Sequence, residues 1–110
     1  MTMDEPSYQR LADAAMKRLE DGLGDVDPDN IDCEHAGDVM TLTFPGKKKC
    51  VVNTQRAARQ IWLAANARAW HFSYDAATAR WLDDKGTGAE LFETVARVVK
   101  DATGVDVTWT

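Results

Sequence analysis

Carboxylates are the residues of this 110-residue chain with the clearest capacity for chemistry, and they are concentrated in one stretch. Between Arg18 and Lys47 the sequence contains no lysine or arginine, although the chain has 13 of them in total. The acids in this stretch are Glu20, Asp21, Asp25, Asp27, Asp29, Asp32, Glu34 and Asp38. Because hard cations prefer oxygen ligands, such a run would suit iron, Mn(II), Ca(II) or Mg(II). The alternative is a solvated acidic surface that only keeps the protein soluble.

The spacing of these acids does not match a preformed cation site. The segment that begins at Asp25 resembles the start of an EF-hand loop, but its sixth residue is Asn30 instead of glycine and its twelfth is Ala36 instead of glutamate. Without a fixed cage, we expect any metal binding to be weak, exposed and unselective. The net charge is −5, and the acids are clustered in this one stretch. Such a negative surface would repel nucleic acid phosphates and anionic lipid, so neither is an expected partner. A basic protein surface would instead be attracted.

Other reactive groups are sparse. Cys33 and Cys50 form neither a CxxC motif nor a zinc-binding spacing, and two reduced, half-buried thiols are expected. The sequence contains no glycine-rich phosphate loop, no HExxH motif and no nucleophile elbow. His35 and His71 could each add a metal ligand, although an ordinary surface position is the simpler interpretation. We therefore predict that the protein is not an enzyme.

The elements that must position these residues follow from the hydrophobic periodicity. Apolar residues at intervals of three and four predict an amphipathic helix over about residues 5–22, stopped by Gly22 and Gly24. Near the other end, Thr87 and Glu90 resemble a capping box. A second helical stripe follows over residues 91–102 and ends at Gly104, leaving residues 105–109 as a short extended tail.

Between the two helices the period of the apolar residues changes from about 3.6 to 2, which predicts short antiparallel strands joined by tight turns. The predicted strands comprise residues 31–34, 40–44, 50–52, 59–65, 69–75 and 80–82. Two apolar helix stripes and one apolar sheet face can bury each other. The predicted fold is therefore an α+β two-layer sandwich, with the N- and C-terminal helices on one face of a five- to six-stranded antiparallel sheet.

The length and composition fit one domain that spans residues 1–110. No apolar run approaches the roughly 18 residues of a membrane span. The N-terminal residues include acids, and they lack the basic start and apolar stretch of a secretory signal. We therefore expect a soluble protein of the cytoplasm.

One tryptophan falls on the unexpected face of the predicted sheet. In residues 60–64, Ile61 and Leu63 share one side of the strand, and Trp62 lies on the other. If Ile61 and Leu63 face the helices, then Trp62 faces solvent, and by the same alternation His71 joins it. An outward aromatic residue among amides suggests a docking surface. The alternative is that Trp62 only covers its cross-strand neighbours.

The order of these features and several short strings resemble the frataxin family, in its bacterial CyaY-like branch. The similarity covers about residues 5–110, and its most specific part is Asn53-x-Gln55 followed closely by Gln60-Ile61-Trp62-Leu63-Ala64. The other matching strings are Leu11-Ala12-Asp13, Ile31-Asp32-Cys33-Glu34, Leu42-Thr43-Phe44, Trp70-His71-Phe72-x-Tyr74, and Trp81 before the last helix.

The resemblance implies a role in iron–sulfur cluster assembly. It implies that Fe(II) and Fe(III) bind weakly and reversibly to an acidic ridge, which in this chain comprises Glu20, Asp21, Asp25, Asp27, Asp29, Asp32 and Glu34. It also implies binding to the cysteine desulfurase and the iron–sulfur scaffold machinery through a sheet surface that includes Asn53, Gln60 and Trp62. The expected role is that of an iron donor or sensor that regulates the desulfurase, and the expected state without metal is a monomer.

Two alternative functions stay open at this point. The ridge could steer a basic partner without any role for metal, in which case the protein is a pure interaction module. It could also oxidise Fe(II) as a ferroxidase, but such sites usually need a di-iron cage of carboxylates and histidines inside a helix bundle, and no motif here builds one. Lys17 and Arg18 place positive charge on the ridge helix, which predicts weaker iron binding than in relatives that lack them.

Overall fold

The structure is a computed structural model that describes residues 3–109, and its first element is helix α1, Glu5–Leu23. Asp4 caps the helix, because its side chain accepts a hydrogen bond of 2.8 Å from the backbone N–H of Ser7. The predicted helix is confirmed, but Gly22 does not stop it. Gly22 lies inside the last turn, and Gly24 is the C-cap.

Six strands form one antiparallel sheet, in which each strand pairs with its neighbours in sequence. They are β1 (Asp32–Ala36), β2 (Val39–Thr43), β3 (Lys49–Gln55), β4 (Gln60–Ala65), β5 (Arg68–Asp75) and β6 (Arg80–Asp83). A 3-10 turn, Pro45–Lys47, joins β2 to β3, and Gly46 adopts a φ of 83° there. This left-handed conformation is one that glycine adopts without steric cost.

Helix α2 spans Leu91–Thr103, and its start differs from the predicted capping box. Glu90 is the N-cap, since its carboxylate accepts hydrogen bonds of 3.0 Å from two backbone N–H groups of the first turn. Thr87 instead donates its hydroxyl proton to Asp83 Oδ2 at 2.7 Å. The reason is an isolated β-bridge between Glu90 and Leu82, which keeps the chain extended up to residue 90.

The two helices pack on the sheet and enclose one hydrophobic core. Ile61 and Leu63 are buried in it, as the alternation in β4 predicts. Tyr8 of α1 is also fully buried, and its hydroxyl donates to the carbonyl oxygen of Gln60 at 2.7 Å, which ties α1 to β4. The predicted α+β two-layer sandwich is confirmed. Within residues 3–109, no helix is long and apolar enough to cross a membrane.

The segment after α2 packs back onto both helices. Val107 is buried, and the Trp109 ring meets the Phe92 ring edge to face, with centroids 5.4 Å apart. The indole N–H of Trp109 lies 3.5 Å from the carbonyl oxygen of Leu19 in α1. Gly22 lies directly under this indole, where a Cβ atom would overlap with it. The chain end therefore joins α1 to α2.

The two thiols are free and lie in different surroundings. Cys33 is half-buried, as expected, and its pKa is raised first by burial and then by the charges of Glu20 and Asp32. Cys50 is fully buried, contrary to expectation, because it lies on the helix-facing side of a central strand. Burial raises the pKa of Cys50 to about 12.

Neither thiol is expected to react quickly with iodoacetamide at pH 8, because the thiolate is the nucleophile and both pKa values are raised. Cys33 should react first, and Cys50 should react only when the protein unfolds. Mass spectrometry of the native protein at timed intervals, with a urea-unfolded sample as the control, measures both rates. Equal rates for the two cysteines in the native protein would contradict the prediction.

Candidate functional site

The acidic ridge begins on the last turns of α1, where Glu20 and Asp21 are exposed. Asp21 pairs with Lys17 one turn earlier, with 2.9 Å between Nζ and Oδ2. Both side chains are solvent-exposed, so this ion pair is weak. The last turn of α1 carries no basic residue, and its acids meet the negative end of the helix dipole. A cation bound beside this helix end would relieve that repulsion.

Glu20 makes a contact across the structure that the sequence analysis missed. Its Oε2 lies 2.6 Å from Nδ1 of His35 in β1. His35 pairs with the buried Met40, so its side chain is on the helix-facing side of the edge strand. The sequence predicts either an ordinary surface position or a metal ligand for His35, and it does not predict this contact with Glu20. The contact depends on how α1 crosses β1, and no local pattern signals it.

Three ridge acids, Asp25, Asp27 and Asp29, lie in the loop between α1 and β1, and all three are exposed. Asp27 also shapes the loop, because its Oδ1 accepts a hydrogen bond of 2.9 Å from the backbone N–H of Asp29. Asp25 and Asp29 form no ion pair with any residue that the structure describes. Their carboxylates are thus available to a cation from solvent.

The last two ridge acids, Asp32 and Glu34, share the outer face of β1, opposite two threonines of β2. Both are exposed, and the strand rise places their Cα atoms about 7 Å apart. Cys33 points to the opposite side of β1. The charges of Glu20 and Asp32 both raise its pKa, so negative charge surrounds the edge strand on both faces.

The ridge is an open surface. In the part of the chain that the structure describes, no group of three or more histidine, cysteine, aspartate or glutamate side chains is arranged to hold a metal ion. A cation on this surface would contact few carboxylates at once and keep much of its water. Such an arrangement suits weak, exchangeable binding of a hard cation.

A second cluster lies on the outer face of the sheet. Trp62 of β4 lies directly opposite His71 of β5, and the two rings stack with centroids 4.3 Å apart and planes 17° apart. Trp62 was expected to face solvent, but it is only half-exposed, because the imidazole covers one side of the indole. The predicted position of His71 on the Trp62 face is correct.

Gln60 holds the indole in place. Trp62 Nε1 donates to Gln60 Oε1 at 2.8 Å, and Gln60 Nε2 donates to Ser73 Oγ at 3.1 Å and to Asp84 Oδ2 at 3.0 Å. The same Asp84 oxygen lies 3.8 Å from His71 Nδ1. Ser73 and Asp84 were not identified from the sequence. Ser73 is the register partner of Gln60, so the β4–β5 pairing is the signal that would have found it.

A row of outward side chains extends this cluster across four strands. Asn53 of β3 pairs with Trp62 on one side and with Val39 of β2 on the other. Val39 is the one large apolar side chain among residues 3–109 that counts as exposed, at 41%. We call the row of Val39, Asn53, Trp62 and His71 the outer sheet row. Val39 lies on β2, which pairs with β1, and β1 carries the ridge residue Glu34. The ridge and the outer sheet row therefore adjoin.

A family model described as a frataxin-like domain matches residues 1–105. The iron-sulfur cluster assembly protein CyaY of Delftia acidovorans is 33% identical over 106 residues, which cover 94% of this chain and 94% of that protein. The CyaY protein of Pseudomonas fluorescens (strain Pf0-1) is 35% identical over 106 residues, which cover 96% of this chain and 94% of that protein.

Solved structures show the same fold. Frataxin from Psychromonas ingrahamii superposes with a TM-score of 0.87 at 24% identity, covering 98% of this chain and 99% of that one. Trimeric frataxin from the yeast Saccharomyces cerevisiae, complexed with ferrous ion, gives a TM-score of 0.66 at 28% identity. The match covers 96% of this chain and 90% of the yeast chain. The resemblance identified from the sequence is confirmed, and the chain belongs to the frataxin-like family.

Proposed function

We propose that this protein acts in iron–sulfur cluster assembly in the cytoplasm, as a non-enzymatic protein that carries Fe(II) or Fe(III) weakly on its acidic ridge. The observation that carries the proposal is the convergence of seven exposed carboxylates along the end of α1, the following loop and β1. The names of the bacterial relatives and the ferrous complex of the yeast family member support it. Iron is the cargo in this role, so a weak site is an advantage.

The individual ridge acids would contribute unequally to iron binding. Asp21 is already paired with Lys17, so a cation must displace an ammonium group to reach it. Glu20 is paired with His35, whose imidazole could add a nitrogen ligand beside the carboxylate. Asp25, Asp29, Asp32 and Glu34 form no ion pair with the described residues, and we infer that they make the first contacts with iron.

The second part of the proposal concerns the partners. The ridge would steer the basic surface of a cysteine desulfurase, and the predicted docking residues Asn53, Gln60 and Trp62 would contact the assembly machinery. Binding of iron on the ridge would change its charge, and this gives a direct means of regulating the desulfurase. The protein would be a monomer before iron binds.

An anaerobic Fe(II) titration of ¹⁵N-labelled protein tests the metal site. Fe(II) is paramagnetic, so amide signals of residues 17–34 should broaden and those of α2 should stay sharp. Replacing Asp25, Asp27 and Asp29 together by asparagine should lower the Fe(II) affinity, as measured by the iron concentration needed for a given broadening, at least about tenfold. The reason is that charge supplies most of the affinity of an open site. A matched control removes the same charge elsewhere, with Asp75→Asn, Glu93→Gln and Asp101→Asn. Equal broadening in the two triple variants would contradict the ridge as the iron site.

A metal-independent interaction module is the second candidate, and the lack of a preformed ligand cluster in residues 3–109 favours it. The two candidates differ in how a chelator affects desulfurase binding. Under the module hypothesis a chelator leaves the affinity unchanged, while rising salt lowers it steeply. Under the iron hypothesis a chelator and added Fe(II) shift the affinity in opposite directions.

A further inference from the structure

The two edges of the sheet differ in what covers them. At the β6 edge, the segment before α2 lies along the strand, and Leu82 forms a β-bridge with Glu90. The backbone N–H of Asp83 also donates to the carbonyl oxygen of Ala89 at 2.9 Å. At the other edge, β1 pairs with β2 on one side and with no further strand among the described residues. The sheet therefore has one covered edge and one open edge.

The hairpin turn between β1 and β2 determines which residues of β1 hydrogen-bond to β2. The backbone N–H of Thr54 in β3 donates to the carbonyl oxygen of Asp38 at 3.0 Å, so the backbone groups of Asp38 face β3. Successive residues of a strand direct their backbone groups to opposite sides, so those of Val39 face β1. Val39 is the register partner of Ala36, and this pair is therefore hydrogen-bonded.

The alternation that follows leaves the backbone groups of Cys33 and His35 on the open side of β1. Counting back from Ala36, every second residue is hydrogen-bonded to β2, which leaves out His35 and Cys33. Their N–H and C=O groups point away from the sheet, and within residues 3–109 they bond to no backbone group outside it. Four backbone groups are thus open to an added strand, and such groups supply the affinity when a peptide extends a sheet.

β1 lacks most of the features that keep an open edge from pairing with another chain. Its five residues include no lysine and no proline, and their register with β2 is continuous, so no bulge twists the edge away. Four of the five are exposed. The remaining protection is negative charge, which comes from Asp32 and Glu34 on the outer face and from Glu20 beside His35 on the other face.

This charge decides which kind of chain the edge accepts. A second copy of β1 would bring the same acids against Asp32 and Glu34, and like charges on facing strands destabilise the pairing. Neither acid forms an ion pair with a described residue, so both are available to basic side chains. On the helix-facing side, Cys33 is half-buried and His35 already contacts Glu20, so we expect uncharged residues of the added strand there.

We propose that the open edge of β1 binds an extended basic segment of another protein, which adds to the six-stranded sheet as a further antiparallel strand. The segment carries arginine or lysine at every second residue, next to Asp32 and Glu34. Uncharged residues alternate with these, and their backbone groups bond to those of Cys33 and His35. The site needs only the edge of β1 and its two acids, so it stands whether or not the ridge carries iron.

Titration of ¹⁵N-labelled protein with a capped seven-residue peptide, in which arginine alternates with valine, tests the proposal. The titration is made at low ionic strength and with EDTA, so that bound metal plays no part and the result is separate from the iron test. Saturable amide shifts are expected at residues 31–36, and those of α2 should not move. Absence of saturable shifts up to roughly 5 mM peptide would refute the site.

Two isomers of this peptide separate strand addition from simple charge attraction, because both carry three N-methyl groups and the same charge. Methyl groups on the valines remove the N–H donors that face β1, and they should weaken binding at least about tenfold. Methyl groups on three of the arginines alter only the new outer edge, and they should change Kd less than about threefold. Equal affinity of the two isomers, or tighter binding of the valine isomer, would overturn the proposal.

Hydrogen exchange at the edge gives a second readout. With the unmethylated peptide at saturation, the amides of Cys33 and His35 should exchange at least about tenfold more slowly, because they gain hydrogen-bond partners. The amides of Asp32 and Glu34 already bond to β2 and should change less. Without peptide, slower exchange of Cys33 and His35 at higher protein concentration would assign the edge to a second copy of the chain and overturn the proposal.

Charge variants test the selection of a basic strand. Asp32→Asn combined with Glu34→Gln should weaken binding of the unmethylated peptide at least about tenfold. The matched control, Glu93→Gln combined with Asp101→Asn, removes the same charge from α2 and should change Kd less than about threefold. Equal affinities of the two double variants would overturn the proposal.

Discussion

Replacing Gly22 by alanine should destabilise the protein by about 2 kcal/mol, although alanine normally favours a helix over glycine by about 1 kcal/mol. The Cβ atom would overlap with the indole of Trp109, so the chain end must move away from α1. That movement disrupts the edge-to-face contact of Trp109 with Phe92 and the approach of its N–H group to the carbonyl oxygen of Leu19.

Urea unfolding of a double-mutant cycle measures this effect. In a Trp109→Ala background the overlap is gone, so Gly22→Ala should change sign and stabilise the protein by up to about 1 kcal/mol. Gly24→Ala serves as a control, because Gly24 has a φ of −65° that suits alanine and has no contact with Trp109. Additive effects of Gly22→Ala and Trp109→Ala would show that the indole does not restrict position 22.

Gly22 also illustrates what periodicity can and cannot predict about this fold. The helix, the six strands and the two-layer arrangement follow from the spacing of apolar residues, because burial of those residues dominates the packing. A glycine near the end of a helical stripe is usually a stop signal. Here the helix continues through Gly22, because the lack of a side chain leaves space for the indole of Trp109, which packs against the helix at this point.

The same limit applies at the candidate site. The exposed acids of the ridge can be identified from sequence, because the alternation of β1 and the stripe of α1 leave them on the surface. The contact of Glu20 with His35 depends on the path of α1 over the edge strand. The cap of α2 is Glu90 and not Thr87, because a β-bridge to Leu82 keeps the chain extended up to Glu90. These contacts arise from tertiary packing, which a local pattern does not encode.

The strand part of the ridge, Asp32 and Glu34, shares the outer face of the sheet with the outer sheet row. Glu34 is on the edge strand β1 and Val39 is on its neighbour β2, and the row then continues through Asn53 to Trp62. Acidic groups at one side and a half-exposed aromatic group at the centre match the usual division of an interface into a charged rim and an apolar anchor. We therefore expect one partner assembly to cover both, with the ridge affecting mainly the association rate.

If the desulfurase–scaffold assembly is the partner, as proposed, the anchor of that face should be Trp62, and Trp62→Ala should weaken binding to the assembly by at least about 2 kcal/mol, or roughly 30-fold in Kd. The indole is already fixed by its hydrogen bond to Gln60 and by stacking on His71. Little conformational entropy is then lost when the partner covers it, so most of its contact energy contributes to affinity.

Binding measured by titration calorimetry at fixed salt, with circular dichroism to confirm folding, tests this prediction against two further variants. Gln60→Ala removes the hydrogen bond but keeps the indole, so it should cost less than Trp62→Ala, because the ring must then be ordered on binding. Val51→Ala, on the same face of β3 but outside the outer sheet row, should change Kd less than about threefold. If Trp62→Ala binds within threefold of the unmodified protein, Trp62 is not the anchor. Its stacking on His71 would then serve only to cover the sheet, which is the alternative left open by the sequence.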